Sequence, residues 1–174
     1  MSTLNAQNLS ADAKSGSIIV EGTSNVHDWD IKAENFTVKA AITKSGEAVD
    51  VKGLSLNVVA ESLKSGKGGM DKNTYKALNT NKHKNITFSQ TKLVSAKATS
   101  AGNYKVQVEG NLTINGVSKV ITLSFDLKEQ GSAYTITGNY KVNMPTYKVD
   151  PPTALMGTIK TGADVVIKYN VNLK

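Results

Sequence analysis

The chain has 174 residues, 39% of them hydrophobic and 6% aromatic, with no cysteine. One domain with a mainly aliphatic interior is therefore expected, and disulfide frameworks, thiolate metal sites and cysteine nucleophiles are excluded. All 21 basic residues are lysine and the net charge is +7; without arginine and with few aromatics, the chain lacks the guanidinium forks and stacking rings that nucleic-acid binding rewards. Nine lysines against Asp71 alone fall within residues 62–108, and the other 12 lysines and 13 acids nearly cancel. Such a window is either a solvated face or a surface for transient contact with an anionic membrane.

Residues 1–16 are polar and without period, as in a flexible N-terminal arm, and residues 17–174 read as a single domain. No stretch reaches the roughly 20 apolar residues of a membrane helix, and the N-terminus lacks the apolar core of a secretory signal. Residues 17–24 alternate as a first strand, with Ile18, Val20 and Gly22 on one side. Asn25-Val26-His27-Asp28-Trp29-Asp30 follows, with the sole Trp. Phe36, Val38, Ala40 and Ile42 mark a second strand, and Leu54, Leu56, Val58 and Ala60 a third.

The period then changes. After the loop at 65–69, Met70, Thr74, Ala77 and Leu78 recur at i, i+4, i+7 and i+8, which predicts a short amphipathic helix near residues 70–80. Strands resume at Ile86-Thr87-Phe88. Tyr104, Val106, Val108, Gly110, Leu112 and Ile114 share one face of a strand, and Ile121, Leu123, Phe125 and Leu127 one face of the next. Asn115-Gly116 between them tolerates the positive φ angles of a two-residue hairpin turn. Tyr134, Ile136, Gly138, Tyr140 and Val142 continue the alternation. Residues 143–162 hold all three prolines and read as a functional loop whose Met144, Tyr147, Leu155 and Met156 fold over something. Val165, Ile167, Tyr169, Val171 and Leu173 close the chain.

About eight or nine antiparallel strands with one short helix suit an all-β, up-and-down barrel, although a two-sheet sandwich shows the same alternation. Gly22, Gly110 and Gly138 on the inward parity favour the barrel, because inward glycines bend strands and leave space inside. A barrel of this strand count can hold one small ligand.

Catalytic and metal chemistry find little footing. In an extended segment His27 and Trp29 share a face and Asp28 points away, so His27-Asp28-Trp29 reads as a structural motif, with Trp29 capping a barrel end through an indole N–H bonded to backbone. His83, between two lysines, reads as a solvated loop residue. Two histidines without clustered carboxylates make no metal site, and no nucleophile elbow or phosphate loop is present. No catalytic residue and no cofactor is expected. The inward side chains remain as cavity candidates or as plain core: Phe36, Val38, Leu56 and Val58 early, then Phe88, Val106, Val108 and Leu112, then Leu123, Phe125, Ile136 and Tyr140, and last Ile167 and Tyr169. Met144, Tyr147, Leu155 and Met156 join them from the loop.

Taken together, Gly22-Thr23-Ser24 with His27-Asp28-Trp29, Ser62-Leu63 leading to Met70-Asp71 and Ala77-Leu78, Ile86-Thr87-Phe88, and Gly110 to Val117 resemble the YceI-like family over nearly the whole chain. The resemblance implies a lipocalin-like barrel with a helix among its strands, enclosing an apolar cavity. It also implies a bacterial carrier of polyisoprenoid lipids, commonly periplasmic, its signal removed; a cytoplasmic protein is the alternative. Where relatives often carry an Arg followed by an aromatic-Gly pair, this chain has Asn143-Met144-Pro145-Thr146-Tyr147. The expected partner is an apolar isoprenoid-type lipid such as a polyprenyl quinone, alcohol or phosphate, with a homodimer left open. The competing reading is a solid-core interaction module that works through its lysine-rich face.

Overall fold

Asn115 and Gly116 both have positive φ (53° and 71°), and this two-residue turn joins β8 (Asn103–Ile114) to β9 (Val117–Gln130) in one long antiparallel ladder. The computed structural model describes residues 5–174. Before the hairpin come β1 (Gln7–Asp12), β2 (Gly16–Ser24), β3 (Trp29–Ala33), β4 (Phe36–Ser45), β5 (Ala48–Val59), the two-residue β6 (Leu63–Lys64), α1 (Gly68–Leu78) and β7 (Asn85–Ser100). After it come β10 (Ala133–Asn143), a 3-10 turn at Met144–Tyr147, the two-residue β11 (Thr153–Ala154) and β12 (Ile159–Leu173).

The antiparallel sheet runs β1-β4-β5-β7-β8-β9-β10-β12-β2-β3-β6, with β11 on β12. It curls until Ser10 and Lys174 exchange backbone hydrogen bonds of 3.0 Å each way, joining β1 to the end of β12. The all-β barrel is thus as the alternation predicts, with one α-helix but twelve strands, instead of eight or nine, among the described residues. The extra ones are too short or too polar to show a period. Residues 7–12, read as part of a flexible arm, form β1 because Leu9 and Ala11 alternate inward against β4; residues 1–4 lie outside the described residues.

Parity also breaks where sequence rules cannot follow it. Along β5 the buried positions are Val49 and Val51, then Leu54 and Val58. The switch occurs at Gly53, whose φ of 62° makes a β-bulge against β4. Gln90 fills the break: its Nε2 donates to the Val51 carbonyl (2.8 Å) and its Oε1 accepts from the Leu54 N–H (2.9 Å).

The three inward glycines do not leave the open space expected of them. A Cβ at Gly22 would collide with the ring of Trp29, one at Gly110 with Phe88, and one at Gly138 with Tyr169. Each glycine instead admits an aromatic ring across the sheet. Gly138 marks a second irregularity. β9 and β10 pair only from Ala133↔Gln130 to Thr137↔Asp126, and beyond this the strands part, β9 staying with β8 and β10 with β12. Tyr169 spans the split, its hydroxyl donating to the Ser124 carbonyl at 2.9 Å.

One end of the barrel is packed solid. Ile42, Val51, Leu127 and Leu173 are each at most 1% exposed there, beside Tyr104 and Tyr134. The other end is roofed by α1 and the segment after β10.

Candidate ligand-binding site

The roof is held by polar side chains on its outer margins. Asp71, buried in the first turn of α1, accepts from the Ser65 N–H (2.8 Å) and hydroxyl (2.7 Å). The Tyr75 hydroxyl sits between the carbonyls of Glu61 (2.9 Å) and Leu63 (2.8 Å), with the Lys64 ammonium 5.4 Å from its ring centroid. Thr80 donates to Glu61 at 2.9 Å, and Asn79 ends the helix in the left-handed region at φ 56°. On the opposite margin Asn115 donates its amide to the carbonyls of Tyr147 (3.3 Å) and Lys148 (3.0 Å). Asn25 donates to Thr158 (2.9 Å) and accepts from the Lys160 N–H (2.8 Å), which ties the final loop to the turn before β3.

Beneath this roof lies a cavity of about 680 Å³, within the range of roughly 300–1,000 Å³ of small-molecule sites. Its inner wall is aliphatic: Ile31 from β3, Ile86 from β7, Ile114 from β8, Val142 from β10, Val165 and Ile167 from β12. The predicted helix face, Met70, Thr74, Ala77 and Leu78, forms its ceiling. That explains why Asp71 is the one buried residue of α1: the apolar stripe packs against the edge of the core and is left partly open to the cavity. Met144, Tyr147 and Val149 complete the wall. Exposed polar residues, His27, Lys67 and Lys72, mark where it meets solvent.

Tyr147 is 3% exposed, and its hydroxyl has no hydrogen-bond partner among the described residues. Burial, with Tyr140 beside it, pushes its phenol up to about 12, so it remains a proton donor on the cavity wall. Burial also raises Tyr140 and, more strongly, Tyr169. No group of three or more potential metal ligands occurs among the described residues. His27 and Asp28 share no side-chain hydrogen bond; the His27 Nδ1 is instead 2.8 Å from the Asp28 carbonyl.

Of the eighteen residues singled out from the sequence, Ile167, Met144 and Tyr147 line this cavity. Phe36, Val38, Val58, Phe88, Val106, Val108, Leu112, Phe125 and Ile136 are buried in the packed core. Leu56, Leu123, Tyr140 and Tyr169 are partly buried against that core. Leu155 and Met156 fold over nothing: they sit at positive φ in a turn and are 71% and 104% exposed. Trp29 donates its indole N–H to the Thr23 carbonyl at 3.0 Å, and its ring lines the cavity as well. His83 is half-buried rather than solvated, its ring against Gly116 of the hairpin turn. Ile31 escaped notice because β3 is only five residues long. Val20, Val142 and Val165 carried the right parity, with nothing to separate wall from filler.

An antiparallel barrel, solid at one end and hollow at the other, is a lipocalin-like architecture. Comparison with known families is more specific: the family described as YceI-like domain matches residues 8–173. The chain belongs to the YceI-like family. Among solved structures it is similar to BcnA of Burkholderia cenocepacia, with 15% identity, 94% of this chain and 99% of that one covered, and a TM-score of 0.76. It is also similar to a polyisoprenoid binding domain from Saccharophagus degradans implicated in plant cell wall breakdown, at 10% identity, 98% and 99% coverage and a TM-score of 0.72. A YCEI protein of Campylobacter jejuni aligns at 19% identity over 78% of this chain and 79% of that one, with a TM-score of 0.57. No curated protein matches the sequence.

Proposed function

We propose that this protein binds the apolar tail of an isoprenoid-type lipid in the hollow end of its barrel, for carriage or storage and without catalysis. The observation that carries this reading is the 680 Å³ cavity, walled by aliphatic side chains and roofed by a helix whose apolar face lines it. Each buried CH₂ of a tail contributes about 0.8 kcal/mol, offset by the cost of ordering a flexible chain. Binding of this kind needs no charged anchor and no reactive group, which suits a wall without a paired acid and base. The Saccharophagus degradans domain, named for polyisoprenoid binding, has the same fold and supports the same class of ligand. An exported location belongs to the same proposal, on the strength of the family. The alternative, an interaction module that works through the lysine-rich face, is disfavoured by a cavity of this size at the hollow end.

Native mass spectrometry of the purified protein, followed by organic extraction, tests the reading. A discrete added mass that extracts as a prenyl lipid is expected, as is uptake of added prenyl alcohols or quinones by protein freed of lipid. Ala77→Trp, which fills the space beneath the helix, should cut that uptake by at least about tenfold, the loss of one to two buried methylene contacts' worth of affinity. Protein that is clean as isolated and takes up none of these compounds would refute it.

A further inference from the structure

The margin of the cavity carries two kinds of exposed side chain that the fold does not use. On one side a turn joins β11 to β12, and in it the Gly157 N–H donates to the Ala154 carbonyl at 3.2 Å. Its central residues, Leu155 and Met156, both take positive φ (49° and 57°), where Asn-Gly is the favoured pair because a bulky side chain is strained. Here two large apolar side chains hold those positions and stand 71% and 104% exposed. Asn25, bonded to the Thr158 carbonyl and the Lys160 N–H, brings the turn that holds Val26, itself 61% exposed, to the same margin. Ser24, His27, Thr153 and Ala154, next to these residues in the chain, all line the cavity. Three of the five large apolar side chains left exposed among the described residues thus flank one opening. On the other side, Lys67 just before α1 and Lys72 and Lys76 within it are exposed. None of these lysines belongs to the six ion pairs among the described residues. Asp71 among them is buried and bonded to Ser65. Asp28 and Asp150 are exposed nearby in the chain, but neither lines the opening.

We infer that the hollow end of the barrel is a docking face for an anionic bilayer. Leu155, Met156 and Val26 enter the boundary between head groups and acyl chains, and the lysines of α1 rest on the negative surface. Grouped exposed apolar side chains mark contact with a protein or a membrane, and the chemistry here favours the membrane. A protein interface rewards a close-packed centre anchored by Tyr, Trp or Arg; the chain has no Arg, and no aromatic residue among those described is exposed. A bilayer needs no matching shape. It takes up protruding apolar side chains wherever they lie, and each lysine near its surface acts as a point charge. Docking in this pose turns the opening of the cavity toward lipid. The docking face goes beyond tail binding and does not depend on it.

The test is sedimentation with vesicles that contain no isoprenoid: phosphatidylcholine alone, and phosphatidylcholine with phosphatidylglycerol in equal parts. At low salt the protein should bind the mixed vesicles about tenfold or more tightly than the neutral ones, and high salt should shrink the difference. Leu155→Asn with Met156→Gly installs the pair that the turn favours, so the fold is kept while the apolar tip is lost; binding should fall about tenfold or more. Lys67→Gln, Lys72→Gln, Lys76→Gln should also cost about tenfold or more. Lys97→Gln, Lys128→Gln, Lys174→Gln removes as much charge at the solid end, more than a Debye length from the docked surface, and should cost less than about threefold. Met156→Cys places a single thiol in a chain that has no cysteine. A fluorescent label there should be shielded from iodide on the mixed vesicles, whereas one on Ala101→Cys, in the turn between β7 and β8, should stay open to it. Equal affinity for the two kinds of vesicle, equal losses from the two lysine triples, or full binding without Leu155 and Met156 would overturn the docking face. So would a Met156 label that iodide still reaches on bound protein. Failure to bind the mixed vesicles at all would overturn it too and leave the tip to a protein partner. None of these outcomes bears on tail binding, which uptake of prenyl alcohols reads separately.

Discussion

Tyr147 shows how one side chain couples the site to the stability of the fold. Burial keeps its phenol protonated up to about pH 12, whereas an unfolded tyrosine ionises near 10. Below about pH 10 both states hold the proton and the group makes no pH-dependent contribution. Between about 10 and 12 the unfolded chain loses its proton first, so stability falls as pH rises. Tyr147→Phe should lessen that fall; urea midpoints of both proteins at neutral and strongly alkaline pH measure it, and an identical decline in the two would show that Tyr147 is not the source. From the sequence Tyr147 was legible only as an apolar-bearing residue in a proline-rich loop. That it turns inward depends on Asn115, whose amide reaches the Tyr147 carbonyl from 32 residues away, and no local pattern announces such a contact.

At the scale of elements, strong period-2 runs with a turn signal between them were readable and the exceptions were not. The β8–β9 hairpin is where Asn115-Gly116 places it, and α1 presents the face that its spacing predicts. The split between β9 and β10 was hidden, because both strands alternate through it without a break and pairing is a property of two strands, not of either alone. Tyr169 is its main fastening, on Gly138 and the Ser124 carbonyl. Tyr169→Phe removes one hydrogen bond and should cost about 0.5–1.5 kcal/mol, read as a lower denaturation midpoint. Hydrogen exchange in the same variant should quicken at the β9 amides that face the split and not in β8. Exchange that speeds uniformly along both strands would mean that Tyr169 serves overall packing instead.

For the molecule as a whole, alternation told which side chains point inward but not which of them meet one another. A void is a difference between the space a barrel encloses and the volume of the side chains within it. That difference is invisible to periodicity, and Val106 and Val142 look alike in sequence although both are buried and only Val142 also lines the cavity. The division predicts unequal responses to substitution. Leu127→Ala at the solid end opens a new hole and should cost about 2–5 kcal/mol, seen as a lower urea midpoint whether or not lipid is present. Ala77→Trp beneath the roof should change the unfolding free energy of lipid-free protein by less than about 1 kcal/mol, because the added ring enters existing space. Equal losses in the two would show that the roof is as much a part of the folding core as the base.

The roof is fastened chiefly by side-chain hydrogen bonds at its margins, Asp71 and Tyr75 on one side, Asn25 and Asn115 on the other. Between these fastenings the helix residues Met70, Ala77 and Leu78 are only partly buried against the core. Descent with modification can therefore act unevenly on the two ends: small changes along the helix face can reshape the hollow end, while the base is kept constant by the demand that the protein fold at all.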